Sequence, residues 1–148
     1  MTSDREQYET ILQGFVGRVF RRTIVCNSIK LRFEETVDTA NLSYIWVDPP
    51  WSFMRHHQPI TASDLCPHYE AADYTSRFRK WCSLFSALDQ SVLTGYEFAS
   101  SESLNLFFSN SYLLYIPKIE AELESDALWY SHWYASQNKN VGVDVNVS

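Results

Sequence analysis

Two six-residue stretches limit what this chain can fold into. Ser28 to Phe33 reads SIKLRF, and Ser103 to Phe108 reads SLNLFF. In each, apolar side chains alternate and end on phenylalanine: Ile29, Leu31 and Phe33 in the first, Leu104, Leu106 and Phe108 in the second. Successive side chains leave a pleated strand on opposite sides, so this period of two marks strands with one face buried and one face wet. The likeness continues downstream. NLSYIWV (Asn41 to Val47) aligns with YLLYIP (Tyr112 to Pro117) through Leu42 and Leu113, Tyr44 and Tyr115, and Ile45 and Ile116.

A helical pattern precedes each group. Ser3 and Glu6 have capping-box spacing, and Tyr8, Ile11, Leu12 and Phe15 follow at helical intervals. Gly14 and Gly17 then place the end of that helix near Gln13. The segment from Val16 to Val25 is β-prone, and Asn27-Ser28 is a hairpin turn into SIKLRF. A third strand stops at Asp48-Pro49-Pro50, because proline cannot donate to a ladder. Trp51 to Pro67 has no clean period and reads as a loop. A second helix, capped by Asp73, aligns Tyr74, Phe78, Trp81, Cys82, Phe85 and Leu88 on one face. Val92 to Phe98 then leads into SLNLFF.

Helix, strand, strand, strand is therefore expected twice, over about residues 3–53 and 73–134. A three-stranded unit with one apolar face cannot bury that face alone. The expectation is an α+β, β-rich fold in which two related helix-plus-three-strand units pack into a single domain. Internal duplication and chance recurrence of an alternating pattern both account for the likeness. Beyond Pro117 lie an acidic run, KIEAELESD, and an aromatic stretch, LWYSHWY, which reads as a strand. In the tail, residues 137–148, valine alternates with small polar residues, giving either an edge strand or a frayed end.

Charge and cysteines bear on partners and compartment. The net charge of −6 opposes nucleic acid or an anionic membrane as the main partner and suits a basic protein. No apolar run approaches membrane-spanning length, and the first residues lack the pattern of a secretory signal. Three cysteines, Cys26, Cys66 and Cys82, are an odd number without framework spacing, which points to reduced thiols and a cytoplasmic address. Five Trp, nine Tyr and nine Phe are many for this length, and rings that reach the surface favour protein contacts.

Catalytic chemistry finds little support in the sequence. His56-His57 and Cys66-Pro67-His68 lack the second pair a zinc site needs, so no metal or cofactor is expected. Gly14-Phe15-Val16-Gly17 is a bare GxxG without phosphate-loop completion, and no GxSxG elbow is present. Pairing Cys66 with His132 is without a motif, and Glu34-Glu35 or Glu122 with Asp126 read as solvated acids. Arg77, Arg79 and Lys80 read as the wet side of the second helix. Two groups suit a protein partner better. Trp46, Asp48 and Trp51 sit around a rigid double proline, and Glu120, Glu122, Glu124 and Asp126 could steer a basic surface.

In pattern the chain resembles the small immunity proteins of bacterial polymorphic and contact-dependent growth inhibition toxin systems. The residues that carry the resemblance are Gly17-Arg18-Val19, the strand Ile29 to Phe33, Trp46 to Trp51, and Asp126 with Trp129. It extends over roughly residues 12–134, with EETVDTA standing where the group has a tight Asp-Gly turn. The resemblance implies a cytoplasmic protein that binds one cognate toxin domain, often a basic nuclease, and blocks its active site or substrate entry without chemistry of its own. Two other classes remain open from the residues alone. One is a small-molecule-binding or enzymatic α+β domain with an aromatic pocket using Trp51, His57 or His132. The other is a homodimerising interaction module with an exposed edge strand.

Overall fold

Both alternating stretches are strands, each the middle of a three-stranded meander. The structure, a computed structural model, describes residues 4–33, 44–99, 103–117, 133–137 and 143–145. In chain order the elements are α1 (Asp4–Phe15), β1 (Val19–Val25), β2 (Ser28–Phe33), β3 (Tyr44–Val47), β4 (Ser52–Arg55) and β5 (Gln58–Ala62). They continue as α2 (Tyr74–Ser83), β6 (Ser91–Phe98), β7 (Leu104–Phe108), β8 (Tyr112–Ile116), β9 (Trp133–Gln137) and β10 (Val143–Val145). The fold is α+β and β-rich, as the sequence pattern predicts.

The strands follow the order β10-β9-β3-β2-β1-β6-β7-β8-β4-β5, with antiparallel neighbours throughout. Exchanging β1 to β5 for β6 to β10 turns this order into its own reverse. Among the described residues each half thus holds one α-helix and five strands, and the last two strands of each half join the meander of the other. β4 pairs with β8, and β9 pairs with β3.

Contacts across the centre are matched in the same way. β1 meets β6 at Val19↔Val92 and Phe20↔Ser91. The Gly17 N–H donates to the Leu93 carbonyl at 2.7 Å, and the Gln90 N–H donates to the Phe20 carbonyl at 2.6 Å. Gly17 and Gln90 are both left-handed, with φ of 89° and 63°. Register pairs Arg22 with Leu31 and Tyr96 with Leu106, so Arg22 and Tyr96 are equivalent positions. Each reaches the other half's helix: Arg22 Nη1 donates to the Cys82 carbonyl at 2.6 Å, and the Tyr96 hydroxyl to the Glu9 carbonyl at 3.2 Å.

Chain connectivity requires the strand array to coil. β3 and β4 are six places apart, about 29 Å in a flat sheet at about 4.8 Å per strand. Only Asp48 to Trp51 join them, and five extended steps reach at most about 18 Å. The coil encloses one core. Ile29↔Val47 and Leu31↔Ile45 in the first half, and Leu104↔Ile116 and Leu106↔Leu114 in the second, are all buried. Each such side chain contributes about 1.5–3 kcal/mol by leaving water. Tyr8, Leu12 and Phe15 from α1, and Trp81 and Phe85 from α2 and its end, close the core.

Several local expectations change. Trp51 to Pro67 is not a loop: it holds β4, β5 and a 3₁₀ turn at Ser63–Leu65. α1 runs through Gly14 to Phe15 and ends at left-handed Gly17. Asp73 precedes α2 with φ 57° and makes no side-chain cap hydrogen bond; only its carbonyl starts the helix, accepting from the Arg77 N–H at 3.0 Å. The third strands match two residues away from the sequence alignment. Lys30↔Trp46 corresponds to Asn105↔Tyr115, and Arg32↔Tyr44 to Phe107↔Leu113, so Trp46 matches Tyr115 and Tyr44 matches Leu113. The tail supplies β10, an edge strand. Ser3, the acidic run and Trp129 lie outside the described residues.

Candidate binding surface

Alternation in β2 and β3 sends half of their side chains away from the core. In β3, Ile45 and Val47 are buried while Tyr44 and Trp46 are half-buried, and in β2 Lys30 and Arg32 alternate with Ile29 and Leu31 in the same way. Cross-strand register puts Arg32 beside Tyr44 and Lys30 beside Trp46. On the other side of β2, Arg21 of β1 stands directly opposite Arg32. The outer face of the first half therefore combines three cations with two aromatic rings. The Lys30 ammonium lies 4.6 Å from the centre of the Tyr44 ring, a cation–π contact.

Asp48 closes this face at the end of β3. Its Oδ1 accepts from the Trp46 indole Nε1–H at 2.8 Å and from the Ser28 hydroxyl at 2.5 Å. Trp46 and Asp48 are thus brought together, and the carboxylate fixes the indole through this hydrogen bond. The next peptide, Pro49-Pro50, is cis. Beyond it, Trp51 lies in the core and not on the outer face. Trp51 is 1% exposed, packs against Trp81 and Phe85 at ring-centre distances of 5.7 and 5.2 Å, and donates from Nε1 to the Asn27 carbonyl at 2.8 Å. Its role is the core. Glu120, Glu122, Glu124 and Asp126 lie outside the described residues, as do His132 and Glu34-Glu35.

A second feature is a cleft of about 570 Å³ between two turns. Its lining includes half-buried Phe107 and Leu113 and the exposed polar residues His56, His57, Thr94 and Asn110. His56 and His57 make the two-residue turn between β4 and β5, and both are left-handed, with φ of 50° and 63°. That turn is fastened to its neighbour by the His56 N–H, which donates to the Ser111 carbonyl at 3.2 Å. His68 is committed elsewhere: its Nδ1 accepts from the Glu70 N–H at 3.2 Å, and its ring stacks on Tyr69. Among the described residues no three His, Cys, Asp or Glu side chains come together as a metal site.

Cys66 and Cys82 are poorly suited to nucleophilic work. Burial pushes Cys66 above the ordinary thiol range, and it pushes Cys82 the same way against the opposing pull of the Arg22 guanidinium. Arg77, Arg79 and Lys80 are exposed along α2. Sequence reasoning missed Lys30, Arg32 and Tyr44 because it treated their strands only as scaffold; the signal was present in the polar positions of the same alternation. It also missed Leu65, in the segment read as a loop, and Tyr69 just after it, 62% and 72% exposed.

No helix among the described residues is long and apolar enough to cross a membrane. No protein-family model matches this chain, and it matches no curated protein and no solved structure.

Proposed function

We propose that this chain is an immunity protein that binds a cognate toxin domain in the cytoplasm and blocks its active site or substrate entry, performing no chemistry itself. The observation that supports this reading is the unequal treatment of two matched faces. Inward positions are apolar in both halves: Ile29 and Leu104, Leu31 and Leu106, Ile45 and Leu114, Val47 and Ile116. Outward, the first half carries Arg21, Lys30, Arg32, Tyr44 and Trp46 where the second carries Gly95, Asn105, Phe107, Leu113 and Tyr115. A repeated scaffold needs its inner face twice, whereas cations on one outer face alone, flanked there by Tyr44 and Trp46, add nothing to the core. Such residues anchor protein interfaces, with Trp, Tyr and Arg prominent among hot spots. The net charge of −6 would speed the approach of a basic toxin domain, a role that also suits Glu120, Glu122, Glu124 and Asp126.

Affinity capture from the native host, with partner identification by mass spectrometry, tests the reading. Recovery of a toxin domain whose activity the chain suppresses supports it, and repeated recovery of no protein partner overturns it. The cleft beside His56 and His57 favours a second reading, a small-molecule-binding domain. Ligand-induced shifts confined to Phe107, Leu113 and the two histidines in a metabolite screen would favour that reading over the first.

A further inference from the structure

We infer that the outer face of the first half receives a carboxylate-rich, extended segment of the partner protein, with Lys30 and Arg32 as its anion contacts. This rests on the binding role proposed above and adds the chemistry of the element that docks. Antiparallel register sets Arg21 directly opposite Arg32, and Lys30 lies two residues before Arg32 on the same face of β2. Two cations side by side on one face of a strand repel each other, and an anion bound between Lys30 and Arg32 relieves that repulsion.

Among the described residues neither Lys30 nor Arg32 forms an ion pair with a carboxylate; Lys30 has only the Tyr44 ring. Among the described residues, Asp48 at the end of β3 is held by Ser28 and Trp46. Tyr44 and Trp46 give the same face two half-buried rings beside the cations, a floor on which aliphatic stems of a docked strand can lie. Guanidinium and ammonium groups also match phosphate, and exposed rings also stack on bases, so nucleic acid is the competing occupant. The net charge of −6 separates the two. A phosphate polymer is repelled by the chain as a whole, whereas a folded partner can be basic overall and still present one acidic segment. Long-range charge then brings the partner in, and the local cations choose the segment that lands.

The second half supplies an internal control, because Asn105 and Phe107 occupy the positions of Lys30 and Arg32. The test is a titration of the ¹⁵N-labelled full chain with a short polyglutamate peptide and, separately, with oligothymidylate. Polyglutamate should shift the Lys30, Arg32 and Tyr44 amides and the Trp46 indole, and raising salt from about 20 mM to about 200 mM should weaken binding several-fold. The K30E/R32E variant should lose at least about tenfold in affinity, while N105E changes it less than about twofold. If K30E/R32E fails to fold by circular dichroism, K30Q/R32Q serves in its place. Tighter binding of oligothymidylate on the same residues overturns the assignment, and so does the absence of any localised shift with polyglutamate. Neither result bears on whether a toxin domain is recovered from the host, so failure here is distinguishable from failure of the immunity reading.

Discussion

Replacing Trp51 separates a core role from a partner-binding role. Its indole buries on the order of 200 Å², which at about 25 cal/mol per Å² is worth about 5 kcal/mol. The Nε1–H bond to the Asn27 carbonyl at 2.8 Å adds about 1 kcal/mol net. Alanine keeps the Cβ, and the site relaxes in part, so W51A should cost about 4–5 kcal/mol, at the upper end for a buried Trp. Phenylalanine keeps one ring against Trp81 and Phe85 but loses the hydrogen bond and part of the packing, so W51F should cost about 2 kcal/mol. The backbone bonds of Trp51 with Ser63 survive both changes: the Trp51 N–H donates to Ser63 Oγ at 3.0 Å, and the Ser63 N–H to the Trp51 carbonyl at 2.9 Å. Urea unfolding followed by far-ultraviolet circular dichroism avoids the lost fluorophore, and the midpoint should fall with an unchanged slope. A W51A cost below about 1 kcal/mol, outside the range for burial of this size, would refute the assignment of Trp51 to the core.

Other sites carry smaller and more specific expectations. D48A removes the shared acceptor of Ser28 and Trp46 and should cost about 1–3 kcal/mol by urea unfolding, while D48N, which keeps an amide oxygen, should cost less. G17A meets no atom within 4 Å, yet its φ of 89° makes it strained by about 1–2 kcal/mol. G95A, whose Cβ would sit 3.9 Å from the Phe107 ring, should be neutral or stabilising by up to about 1 kcal/mol in the same assay. Iodoacetamide at mildly alkaline pH should label exposed Cys26 before Cys66 and Cys82, whose thiols burial keeps protonated. The sign of the pH effect follows from the same shift. An acid whose folded pKa is raised holds its proton longer in the native state, so stability is unaffected below about pH 8 and declines as pH rises through and above the ordinary thiol value.

The strands that alternate cleanly were legible, and their partners were not. SIKLRF and SLNLFF announce themselves because alternate residues are buried, Ile29 and Leu31 in the first and Leu104, Leu106 and Phe108 in the second. The β4–β5 hairpin is hidden by a register shift between Phe53 and Met54, by Pro59 and by a His-His turn where Asn-Gly would be the usual signal. The exchange of hairpins between halves leaves no local trace, since pairing β4 with β8 joins residues some sixty positions apart. The two-residue error in matching the third strands has a simple origin. A shift of two preserves which side chains face inward, so alternation alone cannot fix the match, and cross-strand register is needed.

The candidate surface was half legible for a related reason. Trp46 and Asp48 stood out beside the prolines, and so did Trp51, which the same turn carries into the core. Lys30, Arg32 and Tyr44 are visible as outward positions of a strand, but only the register shows that they lie side by side and that the matched positions of the other half lack them.

The most direct test of the account compares the affinity of the captured toxin domain for outward-face variants of the two halves, measured by isothermal titration calorimetry. R32E and W46A should each weaken binding by at least about tenfold, while N105A and Y115A should change it by less than about twofold. Equal losses in both halves, or losses confined to Asn105 and Tyr115, would contradict the assignment of function to the first half.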